Sequence, residues 1–149
     1  IEDVDVEEAF LYIYLCFLAF HYIENYEEIV DKIHKLLKPG GYLVFSAEHP
    51  VFTAEGSQDW YYDENGKILH FPVDNYYYEG KRNAVFLGEP VTKYHRTFTT
   101  YVSVLLKKGF RLVDVEEPQP PEEMLDTVPG MKDEMRRPMM FLVSAQKEK

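Results

Sequence analysis

The sequence predicts an α/β fold in which part of a parallel sheet, its last strand antiparallel, carries an antiparallel β insertion. Three observations predict it. Residues 9–19 form an unbroken apolar run rich in Tyr, Ile, Leu and Phe, the pattern of a strand buried on both faces by flanking helices. A helix-spaced segment ending in Pro39-Gly40-Gly41 separates this run from a second apolar strand at 42–47, giving a strand-helix-strand unit with the usual right-handed crossover. From 50 to 94 aromatic residues alternate with turn formers and show no helical period, which reads as inserted β structure.

The elements follow in order. Asn25 with Glu28 three residues on makes a capping-box-like helix start, and Ile29, Val30, Ile33, Leu36 and Leu37 then fall at helical spacing. Lys35 and Lys38 suit the negative end of that helix. Within the insertion, Asn65-Gly66 is the strongest hairpin signal, because both residues tolerate the positive φ of a type I′ turn. Pairing outward sets Glu64 opposite Lys67 and puts Trp60, Tyr62, Leu69 and Phe71 on one face, so residues 50–95 are expected to form a lid. A second helix carries Phe98, Tyr101, Val102, Leu105 and Leu106 on one stripe and ends at Lys107-Lys108-Gly109. Strands are expected at 111–116 and 139–145, with an acidic, proline-rich loop at 118–138 between them.

Bulk properties narrow the function. The 149 residues suit one domain with a real core. A net charge of -10 without a basic run argues against nucleic acid as a partner. Cys16, the single cysteine, has no disulfide partner within the chain and suggests a reducing, cytoplasmic setting. The apolar run at 10–20 is too short to span a bilayer and lacks a basic flank, so no membrane association is expected. The five histidines are scattered without paired ligand spacing, so no metal site is expected. The chain opens on Ile1, and a further segment upstream is expected.

The order strand, helix, Leu36-Leu37-Lys38-Pro39-Gly40-Gly41, then Tyr42-Leu43-Val44-Phe45-Ser46 resembles the C-terminal half of a class I S-adenosylmethionine-dependent methyltransferase. Leu18-Ala19-Phe20-His21-Tyr22-Ile23 is similar to that family's segment after the fourth strand. Glu48-His49-Pro50, Tyr94-His95-Arg96-Thr97 and Arg136-Arg137-Pro138 resemble a subgroup with a substrate-covering insertion. The resemblance implies a partial Rossmann-like methyltransferase sheet, with S-adenosylmethionine as cofactor of the intact protein and a small-molecule acceptor. It places Glu2, beside the adenine, and Cys16 and His21 along the cofactor's edge. The family's glycine-rich loop after the first strand and the acidic residue ending the second have no counterpart in the chain.

In open α/β sheets ligands bind beyond the carboxyl ends of the strands. His21 and Tyr22 follow the first strand, and Ser46, Glu48 and His49 end the second, so they converge on one edge. Methyl transfer is an in-line displacement, which needs alignment, water exclusion and, where the acceptor carries a proton, a base. Glu48 or His49 could be that base; each could equally cap and hydrogen-bond its own loop. For His21 a hydrogen bond to backbone competes with proton transfer. Tyr94, His95 and Arg96 are candidates for orienting an anionic or carbonyl-bearing substrate, against an ordinary helix-entry role. Arg137, beside Arg136, could bind a carboxylate or phosphate or simply balance Asp133 and Glu134. Trp60 heads an aromatic hairpin that could cover the acceptor.

Two classes of function remain. The intact protein methylates a small molecule, this chain supplying the acceptor side of the site. Alternatively, the chain is a non-enzymatic truncated module that dimerises through the exposed sheet edge of its first strand.

Overall fold

The computed structural model describes residues 9–148. Its main sheet has four strands in the order β1-β2-β8-β7: β1 (Leu11–Phe17), β2 (Leu37–Glu48), β7 (Phe110–Glu116) and β8 (Met140–Lys147). β1 and β2 run parallel, and β8 is antiparallel to both β2 and β7, as expected. Between β1 and β2 lie a 3₁₀ turn, Phe20–Tyr22, and helix α1, Tyr26–Leu36. Helix α3, Phe98–Lys107, precedes β7.

The core lies between one face of the sheet and these two helices. Leu43, Phe45 and Ala47 of β2 and Phe141, Val143 and Ala145 of β8 meet Ile29, Val30 and Ile33 of α1 and Tyr101, Val104 and Leu105 of α3. Tyr14 and Cys16 of β1 point to the same face, since they pair with Leu43 and Phe45. Among the described residues, no helix covers the other face. Ile13, Leu15 and Phe17 are 51%, 54% and 61% exposed, so the expectation that both faces of this strand are covered fails within the described residues. Both α1 and α3 pack on the same side, and among the described residues the strand's outer edge is also unpaired.

Several local expectations are revised. Asn25 stands at the start of α1, but its side chain makes no capping bond. Leu37 belongs to β2, which begins at Leu37 and not at 42, because Leu37 pairs with Leu11 before an irregularity re-aligns the strands. Gly41 makes this approach possible: a Cβ there would stand 2.9 Å from the Lys38 carbonyl and 3.2 Å from that of Tyr12. Lys38 reaches the Tyr12 hydroxyl, and Lys147 donates to the His34 and Leu37 carbonyls at the end of α1. On α3 the buried stripe is Tyr101, Val104 and Leu105, while Leu106 is 54% exposed. Thr97 caps α3 by accepting from the Thr100 N–H at 3.1 Å.

The insertion contains helix α2 (Pro50–Thr53) and two hairpins, β3 (Tyr61–Tyr62) with β4 (Ile68–His70), and β5 (Gly80–Phe86) with β6 (Glu89–His95). The first hairpin does not use a type I′ turn. Asp63, not Glu64, faces Lys67 across the loop, and its carboxylate accepts from the Asn65 and Lys67 N–H groups at 2.9 Å each. Only Gly66 of the loop takes positive φ, so the aspartate side chain builds the turn. Trp60 and Phe71 do meet, edge to face, whereas Tyr62 and Leu69 are exposed. Between β7 and β8 lie the short helices α4 (Glu122–Leu125) and α5 (Met131–Glu134). No helix among the described residues is long and apolar enough to cross a membrane.

Candidate functional site

The carboxyl ends of β1 and β2 lie side by side, since Phe17 pairs with Ser46. At this point Leu18 takes φ 49°, an uncommon conformation for a side chain of its size. Its N–H is held by Ser46, through the carbonyl at 2.9 Å and the hydroxyl at 3.1 Å. The chain then enters the 3₁₀ turn, which buries Phe20 and His21 and leaves Tyr22 40% exposed.

His21 and Glu48 meet here. The Glu48 N–H donates to His21 Nδ1 at 3.2 Å, which places the ring proton on Nε2, 3.8 Å from Glu48 Oε1. Burial pushes the His21 pKa down to about 4; the Glu48 carboxylate opposes this, and Lys93 and Arg96 reinforce it. The imidazole is therefore neutral at pH 7.

Glu48 has a partner that the sequence reading did not single out. Lys93 of β6, only 2% exposed, donates to Glu48 Oε1 and to Gln58 Oε1, both at 2.6 Å. Gln58 in turn donates to Glu48 Oε2 at 2.7 Å, closing a three-residue ring. The signal was present in the alternation of β6: Val91, Lys93 and His95 share a face, and His95 is buried. The rings of Tyr22 and Phe86 stand 5.7 and 5.8 Å from the Lys93 ammonium. Buried lysines are rare unless paired, and this one joins the insertion to the strand end.

The other candidates separate into distinct places. His49 caps α2, its Nδ1 accepting from the Val51 N–H at 3.0 Å, and its Nε2 lies 2.7 Å from Glu117. Burial lowers its pKa, against the pull of Glu117. His95 Nε2 faces the Tyr76 carbonyl at 2.8 Å and Nδ1 the Thr53 hydroxyl at 2.7 Å, an arrangement that anchors the base of β6. The Arg96 guanidinium donates to four carbonyls, of Phe20, Tyr94, Ile23 and Glu24, and packs over the Tyr26 ring. It clamps the 3₁₀ turn. Tyr94 stands above that turn, its hydroxyl 3.4 Å from Glu24. Arg137 lies beside the start of β8, enclosed by Phe52, Trp60 and Phe71 at 4.9 to 5.0 Å and paired through both terminal nitrogens with Glu134. Cys16 is half-buried against the core, and burial raises its thiol pKa. Glu2 lies outside the described residues.

The described residues fit S-adenosylmethionine only in part. They supply the strand end and the turn at 18–22, with Phe17 and Leu18 exposed there, but neither a glycine-rich turn nor a carboxylate placed for a ribose.

A four-strand order with one antiparallel strand, and polar groups gathered at the strand ends, define an α/β domain of the methyltransferase type. A family model described as a methyltransferase domain matches residues 1–45. A protein of Listeria monocytogenes described as an S-adenosylmethionine-dependent methyltransferase is 51% identical, with a TM-score of 0.92, over 99% of this chain and 66% of its own. An S-adenosylmethionine-dependent methyltransferase of Mesorhizobium loti is 34% identical, with a TM-score of 0.86, over 98% of this chain and 66% of its own. An uncharacterized protein of Haemophilus influenzae is 35% identical over 135 residues, 87% of this chain and 51% of that protein. The chain thus spans about half to two-thirds of the length of these relatives. It belongs to the class I S-adenosylmethionine-dependent methyltransferases.

Proposed function

We propose that the intact protein uses S-adenosylmethionine to methylate a small-molecule acceptor, and that this chain supplies the acceptor side of the site. The observation that carries this reading is the Glu48-Lys93-Gln58 ring with His21, set at the carboxyl ends of adjacent parallel strands, where ligands of open α/β sheets bind. The cofactor supplies an electrophilic methyl group. Glu48 is the group we assign to take the proton that leaves the acceptor heteroatom as its new bond to carbon forms. Lys93 holds the carboxylate in place, and neutral His21 fixes the backbone beneath it. His49, both ring nitrogens engaged, serves as a cap in this reading. Tyr22 and the 50–95 insertion flank the acceptor and exclude water, with Arg96 positioning the turn on which Tyr22 sits.

Calorimetric titration of the intact protein with S-adenosylmethionine tests the reading. Saturable heat is expected, and its absence at millimolar cofactor defeats the proposal.

Among the described residues β1 has an unpaired edge and an exposed apolar face, which favour a second reading, in which the 149-residue chain assembles with a second copy. Tyr12 is 72% exposed on that edge, and unpaired edges recruit partners. Sedimentation of the chain decides it: a monomer with native spectra removes this reading.

A further inference from the structure

A cavity of about 490 Å³ lies between the 118–138 segment and the start of β8. Its walls are Pro118, Pro120 and Pro129 with Met131, Met139 and Met140, and its only charged lining among the described residues is the pair Arg137 and Glu134. We propose that this cavity binds an uncharged, largely apolar molecule presenting one oxygen acceptor to Arg137, and that this molecule is the methyl acceptor. The second half rests on the methyl-transfer reading above.

Position, charge and hydrogen-bond capacity each carry part of the argument. The cavity adjoins the strand end that bears the site: Met140 pairs with Glu48 across the sheet, and the His49 N–H donates to the Met139 carbonyl at 2.9 Å. On its other side Glu117, next to Pro118, holds His49 at 2.7 Å. The volume suits a small organic ligand, and unbranched methionines adapt to irregular apolar shapes.

Charge selects against ions. The Arg137 side chain is 6% exposed, and Glu134 takes both its terminal nitrogens, at 2.5 and 3.1 Å. The pair is neutral as a unit. An incoming carboxylate would meet no unspent cation and would add to a chain already at -10; an incoming cation would meet the guanidinium. Hydrogen-bond capacity is left over where charge is not. A guanidinium has five N–H groups; Glu134 takes one from each terminal nitrogen, which leaves one N–H on each, while Nε is buried without an acceptor and out of a ligand's reach. A carbonyl or hydroxyl oxygen from a ligand uses that surplus donor capacity without unbalancing the charge. Arg137 thus selects an oxygen acceptor, not an anion, because Glu134 already occupies its charge.

Trp60, the chain's single tryptophan, stands 5.0 Å from the Arg137 guanidinium and reports on the site. The test titrates the intact protein with two probes of one size, 4-phenyl-2-butanone and 3-phenylpropionate, following Trp60 emission, with a Trp60→Phe variant defining the signal. The ketone is expected to give a saturable change and the carboxylate to bind at least ten-fold more weakly. In Glu134→Gln the guanidinium charge is released, and the preference is expected to reverse toward the carboxylate; circular dichroism checks that this variant is folded. A carboxylate preference in the unmodified protein, an unchanged preference in Glu134→Gln, or no response to either probe overturns the proposal. A parallel calorimetric titration with S-adenosylmethionine separates the two readings. Cofactor heat without a ketone response overturns this inference alone. A ketone response without cofactor heat overturns methyl transfer, and the acceptor role with it, while the cavity's neutral preference stands.

Discussion

Replacing Lys93 with methionine keeps most of the side-chain volume and removes one buried charge. In the structure its ammonium makes two bonds of 2.6 Å, to Glu48 and Gln58. Once it is gone, Glu48 keeps the Gln58 amide at 2.7 Å and a distant His21 at 3.8 Å, and its carboxylate side chain is only 14% exposed. Breaking one half of a buried ion pair costs about 3–5 kcal/mol, because the remaining charge is left uncompensated. At a urea dependence of about 2 kcal/mol per molar, the unfolding midpoint of Lys93→Met should fall by about 2 M. The double variant Lys93→Met, Glu48→Gln removes both charges and should recover at least about 2 kcal/mol of that loss, since neutral replacement of a buried pair is often tolerated. The single variant should also raise the His21 pKa, because Lys93 is one of the cations holding it down; proton NMR of the ring reads this directly. A single variant within about 1 kcal/mol of the parent, with no coupling in the cycle, would refute the buried ring that places Glu48.

Other outcomes follow from the same geometry. His21 has a folded pKa of about 4 against an ordinary 6.5, so the unfolded chain binds more protons between these values; stability should fall by about 3 kcal/mol as pH drops from 6.5 to 4, and His21→Gln should flatten that slope in urea melts. Burial of His49 contributes in the same direction. Arg96→Lys loses the fork that engages four carbonyls and should cost at least about 3 kcal/mol, with faster amide exchange at residues 20–24; unchanged exchange there would show that the clamp is idle. Gly41→Ala drives a methyl against the Lys38, Tyr12 and Leu11 carbonyls and should cost about 1–3 kcal/mol, seen as lost amide protection along β1. His49→Ala removes the cap on the Val51 N–H and should cost about 1 kcal/mol, read as a lowered urea midpoint.

The sequence by itself determined the strand-helix-strand unit, the late helix and the two final strands, because each is written in local periodicity and bounded by glycine or proline: α1 ends at Leu36, ahead of Pro39-Gly40-Gly41, and Gly109 takes φ 83° two residues past Lys107, the end of α3. It also placed His21, Tyr22, Glu48 and His49 near one sheet edge, since strand ends carry ligands in such folds. Tertiary structure alone decided which of these residues act together. Lys93 lies 45 residues from Glu48 and in a hairpin reads as a solvated charge; only packing of that hairpin onto the strand end takes it out of water. Arg96, read as a possible substrate contact, spends its donors on carbonyls more than 70 residues away. Arg137, read as a possible anion site, has its charge cancelled by Glu134 one helical turn earlier. Local sequence fixes where backbone hydrogen bonds go. Whether a charge is spent or available depends on what the folded chain brings within about 3 Å of it, as hydrogen-bond geometry requires.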